Sequence, residues 1–172
     1  ADGTVNTDIS GQVILSVYDS ERSIYLEEVR DSMRVQGGLL FKGRVSIENG
    51  KFSTSFRVPK DISYENRHGK IVAYFMNQNT DGIGYTKNIT VGGSDTTVVN
   101  DKHGPKIQIF FDNTVFKNSY LVSPNFDLII KLSDQTGLNT TGTGVGHKLE
   151  GILNGNESNP IDFTNYFVGN LN

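Results

Sequence analysis

Cysteine and tryptophan are absent from this chain of 172 residues, which also contains only four prolines and two methionines. Without cysteine the chain can form no disulfide, hold no metal through thiolates and supply no cysteine nucleophile. The 16 basic and 19 acidic side chains give a formal charge of −3, so the chain lacks the basic excess that nucleic acid or an anionic membrane would attract. We therefore expect neither of these partners.

Long apolar runs are also missing. None approaches the roughly 20 residues of a membrane-spanning helix, so we expect no direct insertion into a membrane. The opening residues, ADGTVNTD, lack the charged and apolar parts of a leader peptide. We expect the chain to be an internal segment of a longer protein.

Apolar and polar residues alternate in several parts of the chain, most clearly in residues 41–59. Two alternating runs there flank the pair Asn49-Gly50, which is the strongest short-range signal for a β-hairpin. With this pair as a two-residue turn, Glu48 lies opposite Lys51 and the pairing continues along both runs. The apolar side chains of both runs then share one face, which specifies the register.

Other short apolar runs predict further strands, and we find no helical pattern of ordinary length. These runs lie at residues 70–76, 83–91, 106–112 and 125–133. The sequence therefore predicts an all-β protein made of two consecutive immunoglobulin-like β-sandwich units. We place the first unit at residues 1–93, a polar, glycine-rich linker at 94–104 and the second unit at 105–172. The second unit is expected to be truncated, because few convincing strands follow the linker.

A glycine-rich stretch at residues 133–151 looks at first sight like a loop that binds phosphate. Such a loop needs a helix after its glycines, because the helix N-terminus supplies the amide donors. The odd-numbered residues Val145, His147 and Leu149 indicate a strand instead. The sequence favours an inter-strand loop with His147 at a sheet edge. The alternative is a histidine that acts as a ligand or a base, with Asp134 as its partner.

Side chains that carry oxygen gather around the predicted linker and suggest one metal site. Asn100 and Asp101 lie in the linker, and Asp112 and Asn113 follow the next predicted strand. Calcium binds to carboxylate and amide oxygens of this kind. The spacing matches no calcium-loop template, and Asp and Asn also favour turns for local reasons. Calcium is the one cofactor with candidate ligands here; we expect no other cofactor and no catalytic residue in this chain.

Four stretches resemble the region after the peptidase domain in the PorU-type sortases of the Bacteroidetes type IX secretion system. They read LLFKGRVSIENGKFSTSFRVPKDISY, DGIGYTKNITVGG, NDKHGPKIQIFFDN and LSDQTGLNTTGTGVGHKLEG, and the resemblance covers most of the chain. The sequence departs from the family pattern at Thr136 and Leu138, where serine and isoleucine would be expected. It departs again at the end of the chain, where the family continues with more strands.

The resemblance implies a function for the parent protein and a place for this segment in it. Such parents are similar to gingipains, cysteine peptidases whose Cys and His belong to an upstream α/β domain. They act on the cell surface, remove the C-terminal signal of secreted cargo and attach the cargo to lipopolysaccharide, in a complex that includes PorV. The segment would then be a non-catalytic accessory part of a sortase on the extracellular side of the outer membrane. Its partners would be the other domains of the parent and secretion components such as PorV.

A module that binds glycans or mediates adhesion is the alternative, since β-sandwiches host many kinds of site and the fold alone does not choose between them. A glycan site would ordinarily show exposed aromatic rings together with carboxylate and amide groups. The sequence offers Tyr64, Tyr85 and Tyr120 as candidates, although they are scattered along the chain.

Overall fold

The computed structural model describes residues 4–59, 62–63, 65–93, 103–115, 121–135, 137–139 and 148–170. The strands are β1 (Gly11–Tyr18), β2 (Arg22–Leu26), β3 (Asp31–Val35), β4 (Leu39–Ile47), β5 (Arg67–His68), β6 (Lys70–Met76), β7 (Asp81–Thr86), β8 (Thr90–Val91), β9 (Lys106–Phe111), β10 (Leu128–Ser133), β11 (Glu150–Gly151), β12 (Ile161–Asp162) and β13 (Gly169–Asn170). Within these ranges the only helical element is a 3-10 turn at Thr164–Tyr166. The all-β prediction is confirmed, and the arrangement is consistent with β-sandwich units. No helix in the described residues is long and apolar enough to cross a membrane.

The strands form one sheet of five strands, in the order β13-β4-β1-β6-β7, and four sheets of two strands. The smaller sheets pair β2 with β3, β5 with β8, β9 with β10 and β11 with β12. In the large sheet β1 runs antiparallel to both of its neighbours, β4 and β6, whereas β13 runs parallel to β4. The strand β1 therefore has a partner on each edge.

The chain divides into two compact units. The first unit comprises Ala1–Asp95 together with Asn139–Asn172, and the second comprises Thr96–Leu138. The predicted linker contains the first of these boundaries, but the predicted second unit, 105–172, differs from the observed division. The physical reason is the pairing of β13 with β4, which joins the last part of the chain to the first unit.

The core of the first unit lies on one face of the large sheet, because alternate residues along its strands point to that face. Val13, Leu15 and Val17 of β1 and Val45 of β4 are buried together on this face, which we call the core face. Side chains that are partly buried pack against this cluster: Phe41, Phe56, Ile71, Ala73, Phe75 and Ile89. Successive side chains of a strand point to opposite faces, so the alternate residues of the same strands lie on the other face, which we call the open face.

The predicted turn at Asn49-Gly50 is confirmed. Both residues have positive φ, 50° and 71°, as a type I′ turn requires. Glu48 and Lys51 exchange both backbone hydrogen bonds across the turn, at 3.0 Å and 2.9 Å. The backbone of Gly50 also donates to the carbonyl of Ile9 at 2.8 Å.

The strand pairing predicted beyond this turn is wrong. Residues 52–59 form no strand, and β4 pairs with β1 on one edge and with β13 on the other. Because β13 pairs with Gly43 of β4, the chain that returns from the turn cannot make a ladder there. It contributes side chains instead: Phe56 stacks on Phe41, with ring centroids 4.5 Å apart.

A buried carboxylate, that of Asp19, joins the end of β1 to two other segments. Its Oδ1 accepts a hydrogen bond from the backbone of Ser20, and its Oδ2 accepts one from the backbone of Ser63, both at 2.7 Å. The backbone of Asp19 donates to the carbonyl of Gly38 at 2.9 Å and accepts from Gln36 Nε2 at 2.8 Å. One residue thus ties β1 to the β3–β4 connection and to the segment before β5.

Replacing Asp19 with asparagine should lower the free energy of unfolding by about 2 kcal/mol, because one oxygen becomes an NH₂ group that faces a buried N–H donor. Urea unfolding measures the change. The control is Asp31→Asn, since Asp31 Oδ1 also accepts from the next backbone, Ser32, at 2.7 Å, but in an exposed position. That control should change stability by less than about 0.5 kcal/mol. Equal effects of the two substitutions would contradict a special role for Asp19.

Gly50→Ala should destabilise the protein more than Gly155→Ala, although both glycines have φ of 71°. A Cβ at Gly155 meets no atom within 4 Å, so alanine there costs only the left-handed backbone strain, about 1 kcal/mol. A Cβ at Gly50 collides with the carbonyl oxygen of Asn6 and lies 2.9 Å from Val5 Cγ1. We expect a loss of about 2 kcal/mol or more at Gly50 in thermal unfolding. Equal losses would show that residues 5–6 can move away from the added methyl group without a loss of stability.

Candidate functional site

The open face of β6 and β7 carries a group of apolar, aromatic and charged side chains. The register places Tyr85 opposite Val72 and Ile83 opposite Tyr74. We call this group the β6–β7 patch and define it as Lys70, Val72, Tyr74, Asp81, Ile83 and Tyr85. The side chains of β7 are the most exposed in it, with Ile83 at 75% and Tyr85 at 71%. The patch therefore offers apolar surface next to charge, a combination typical of interaction sites.

Two contacts orient the polar groups of the β6–β7 patch. The Nζ of Lys70 lies 5.1 Å from the centroid of the Tyr85 ring, within the range of a cation–π interaction. The hydroxyl of Tyr74 donates a hydrogen bond of 2.8 Å to Asp81 Oδ2. This hydrogen bond and the charge of the carboxylate raise the pKa of Tyr74 above its ordinary value. A positive charge thus lies at one end of the patch and a negative charge at the other.

The core face of β7 has almost no side chains. Gly82 lies opposite Phe75 and Gly84 opposite Ala73, and a Cβ built on either glycine meets nothing within 4 Å. The strand is also the last in the sheet, and no described residue pairs with its outer edge. Beside the β6–β7 patch there is consequently an uncovered strand edge with open space on its core face.

A cavity of about 350 Å³ forms a second candidate site in the first unit. It is lined by Glu21, Arg34, Asn66, Arg67, His68 and Thr90. Much of its charge is already paired, since Glu21 binds Lys87 at 2.6 Å and Arg67 binds Glu65 at 3.0 Å. The hydrogen bond and the charge of Lys87 lower the pKa of Glu21. We regard this cavity as the weaker candidate because Glu21 and Arg67 already have partners of opposite charge outside its lining.

Of the four candidate calcium ligands, Asn100 and Asp101 lie outside the described residues, and the other two directly follow β9. Asp112 Oδ1 accepts a hydrogen bond from the backbone of Asp127 at 3.1 Å. Asn113 Oδ1 accepts one from the backbone of Val115 at 3.0 Å. Among the described residues no group of three or more His, Asp or Glu side chains could hold a metal ion. The calcium site stays a prediction.

The other sequence candidates are only partly described. His147, Tyr64 and Tyr120 lie outside the described residues, so the suggested pairing of His147 with Asp134 stays untested. Tyr85 is described, and it lies in β7 rather than in a loop.

Sequence reasoning missed Tyr74 and Asp81, which the turn between β6 and β7 brings together. Asn77 Oδ1 accepts hydrogen bonds from the backbones of Asn79 and Thr80, both at 2.8 Å. This side chain closes the turn, as asparagine often does. The signal was present as Asn-Gln-Asn-Thr between two apolar runs, and a hairpin prediction there would have placed the two side chains near each other.

Asp81→Asn should lower the pKa of Tyr74 towards its ordinary value, because the substitution removes the negative charge that disfavours the phenolate. A ¹³C NMR titration of the tyrosine Cζ resonances measures this for each tyrosine separately. As a control, Glu65→Gln removes an acid that pairs with Arg67 and should leave Tyr74 unchanged. An unaltered Tyr74 titration in the Asp81 variant would mean that the two side chains are not bonded in solution.

Comparison with solved structures finds a protein that is similar to this chain. No protein-family model matches the chain, and no curated protein does. The chain is similar to the crystal structure of dimeric latent PorU from Porphyromonas gingivalis, with 28% identity and a TM-score of 0.58. The similarity covers 95% of this chain and 16% of the PorU chain. In sequence and in fold, the chain is therefore similar to one region of PorU and spans a small part of that protein's length.

Proposed function

We propose that this chain is a non-catalytic accessory β-region of a cell-surface protein of the type IX secretion system, related to PorU. The observation that carries the proposal is the similarity to PorU over 95% of the chain at 28% identity. The four stretches that resemble PorU-type sortases support the same relation independently of the structure. An all-β architecture suits a region that positions other domains, since a packed sheet holds its surfaces rigidly.

The absence of cysteine supports the non-catalytic role. A gingipain-like peptidase needs a cysteine nucleophile beside a histidine, and none of the 172 residues is cysteine. In this proposal an upstream domain of the parent is the cysteine endopeptidase that removes cargo signals and attaches cargo to surface lipopolysaccharide. The present region would contact the other domains of the parent and secretion components such as PorV.

A glycan-binding or adhesion module is the second candidate, and the β6–β7 patch is the observation that favours it. Tyr85 is exposed there, and the Asp81 carboxylate lies on the same face. Sugars stack on aromatic rings and hydrogen-bond to carboxylates, and the patch has groups of both kinds. Binding to immobilised glycans that disappears in Tyr85→Ala would favour this candidate over the accessory role.

The purified chain should cleave none of a set of fluorogenic peptides, and antibodies against it should label intact cells of the bacterium that encodes it. The first result is expected because the nucleophile is absent, and the second because the region would lie outside the outer membrane. Peptide cleavage is measured by fluorescence, and labelling by flow cytometry before and after permeabilisation. An antibody against a cytoplasmic protein controls for leaky cells.

Two outcomes would overturn the proposal separately. Peptide turnover that is abolished by His147→Ala would show that the chain is itself catalytic. Labelling that appears only after permeabilisation would place the protein inside the cell.

A further inference from the structure

The outer edge of β7 has the features of a sheet edge that can bind a further β-strand. All six residues of β7, Asp81–Thr86, are exposed, and none of the described residues pairs with its outer edge. Edge strands are usually protected by proline, by an inward-pointing charge or by a bulge. The sequence DGIGYT has no proline, and its pairing with β6 runs through six consecutive residue pairs without a bulge. Within the described part of the chain, the backbone N–H and C=O groups on this edge are available for a further ladder.

The core face of this edge lacks the side chains that would complete the core. Phe75, Ala73 and Ile71 of β6 are only partly buried, and they lie opposite Gly82, Gly84 and Thr86. In an antiparallel sheet, residues directly opposite each other have Cβ atoms about 5 Å apart on one face. Aromatic side chains on a neighbouring strand often cover such edge glycines. A strand beside β7 with aromatic residues opposite Gly82 and Gly84 would fill the open space and cover Phe75.

Charges on the open face determine the chemistry of that strand. Asp81 lies at the start of β7, and the Lys70 ammonium lies over Tyr85 near its end. A partner strand with a basic residue opposite Asp81 and an acidic residue opposite Tyr85 would complement both charges. An apolar residue opposite Ile83 would cover a side chain that is 75% exposed.

We propose that the outer edge of β7 binds an antiparallel β-strand of a partner protein with the order acidic, aromatic, apolar, aromatic, basic. The aromatic residues pack over Gly82 and Gly84, and the charged residues face Lys70 and Asp81. Main-chain hydrogen bonds supply affinity, and the alternating side chains supply specificity, as in other cases of strand addition. The proposal rests on the geometry of β7 and does not depend on the relation to PorU.

The test is binding of a synthetic peptide, Thr-Glu-Phe-Val-Phe-Lys-Thr, to the full chain of 172 residues, followed by NMR of the backbone amides. We expect saturable binding, with shifts concentrated in β7 and β6. A peptide of the same composition, Thr-Glu-Phe-Phe-Val-Lys-Thr, places its two adjacent aromatic residues on opposite faces in any register and should bind at least about tenfold more weakly. Equal binding of both peptides, or no binding of the first, would overturn the proposal.

Two variants test the proposed contacts directly. Gly84→Val fills the open space on the core face and should weaken binding about tenfold or more. Gly104→Val is its matched control, since a Cβ at Gly104 also meets nothing within 4 Å and Gly104 lies outside β7. Asp81→Lys should weaken binding of the first peptide and favour Thr-Glu-Phe-Val-Phe-Glu-Thr, in which only the lysine opposite position 81 is replaced by glutamate. Unchanged affinity in Gly84→Val, or no recovery with the glutamate peptide, would contradict the assigned register.

Discussion

The hydrogen bonds of the Asp19 carboxylate are the constraint on which the large sheet depends. A buried carboxylate is costly unless it is hydrogen-bonded, and both oxygens of Asp19 accept from backbone N–H groups. Since β1 has a partner on each edge, the position of its end affects both β4 and β6. The same residue bonds to Gly38, just before β4, and to Ser63, shortly before β5. A single residue, through its backbone and its side chain, therefore coordinates the paths of three segments around the core.

Local features of the fold could be predicted from the sequence, and long-range ones could not. Alternation predicted β4, and short apolar runs predicted β6, β9 and β10, because these patterns are visible within one strand. Asn49-Gly50 predicted a turn because positive φ is a property of those two residues. The partner of β4 was mispredicted because β13 lies more than 100 residues further along the chain, and its two paired residues, Gly169 and Asn170, show no alternation.

The candidate site was only partly visible in the sequence. Tyr85 was recognised as a candidate aromatic residue, but its neighbours Lys70 and Tyr74 come from another strand, and their proximity depends on the register of β6 and β7. The two glycines of β7 matter only because β7 is at the edge of the sheet, and strand order is a global property. Of the residues proposed as metal ligands, Asn113 bonds to Val115 in a local turn and Asp112 bonds to Asp127, and the metal site stays a prediction.

The parallel pairing of β13 with β4 also has a consequence for the time course of folding. Gly169 pairs with Gly43, so this contact closes a very long loop, and contacts of high sequence separation slow folding. The strands β1, β4, β6 and β7 leave the ribosome well before β13. During that interval the edge of β4 has no partner from the end of the chain, while Thr96–Leu138 is still being synthesised. The nascent protein therefore exposes a second strand edge, on β4, until β13 has been synthesised.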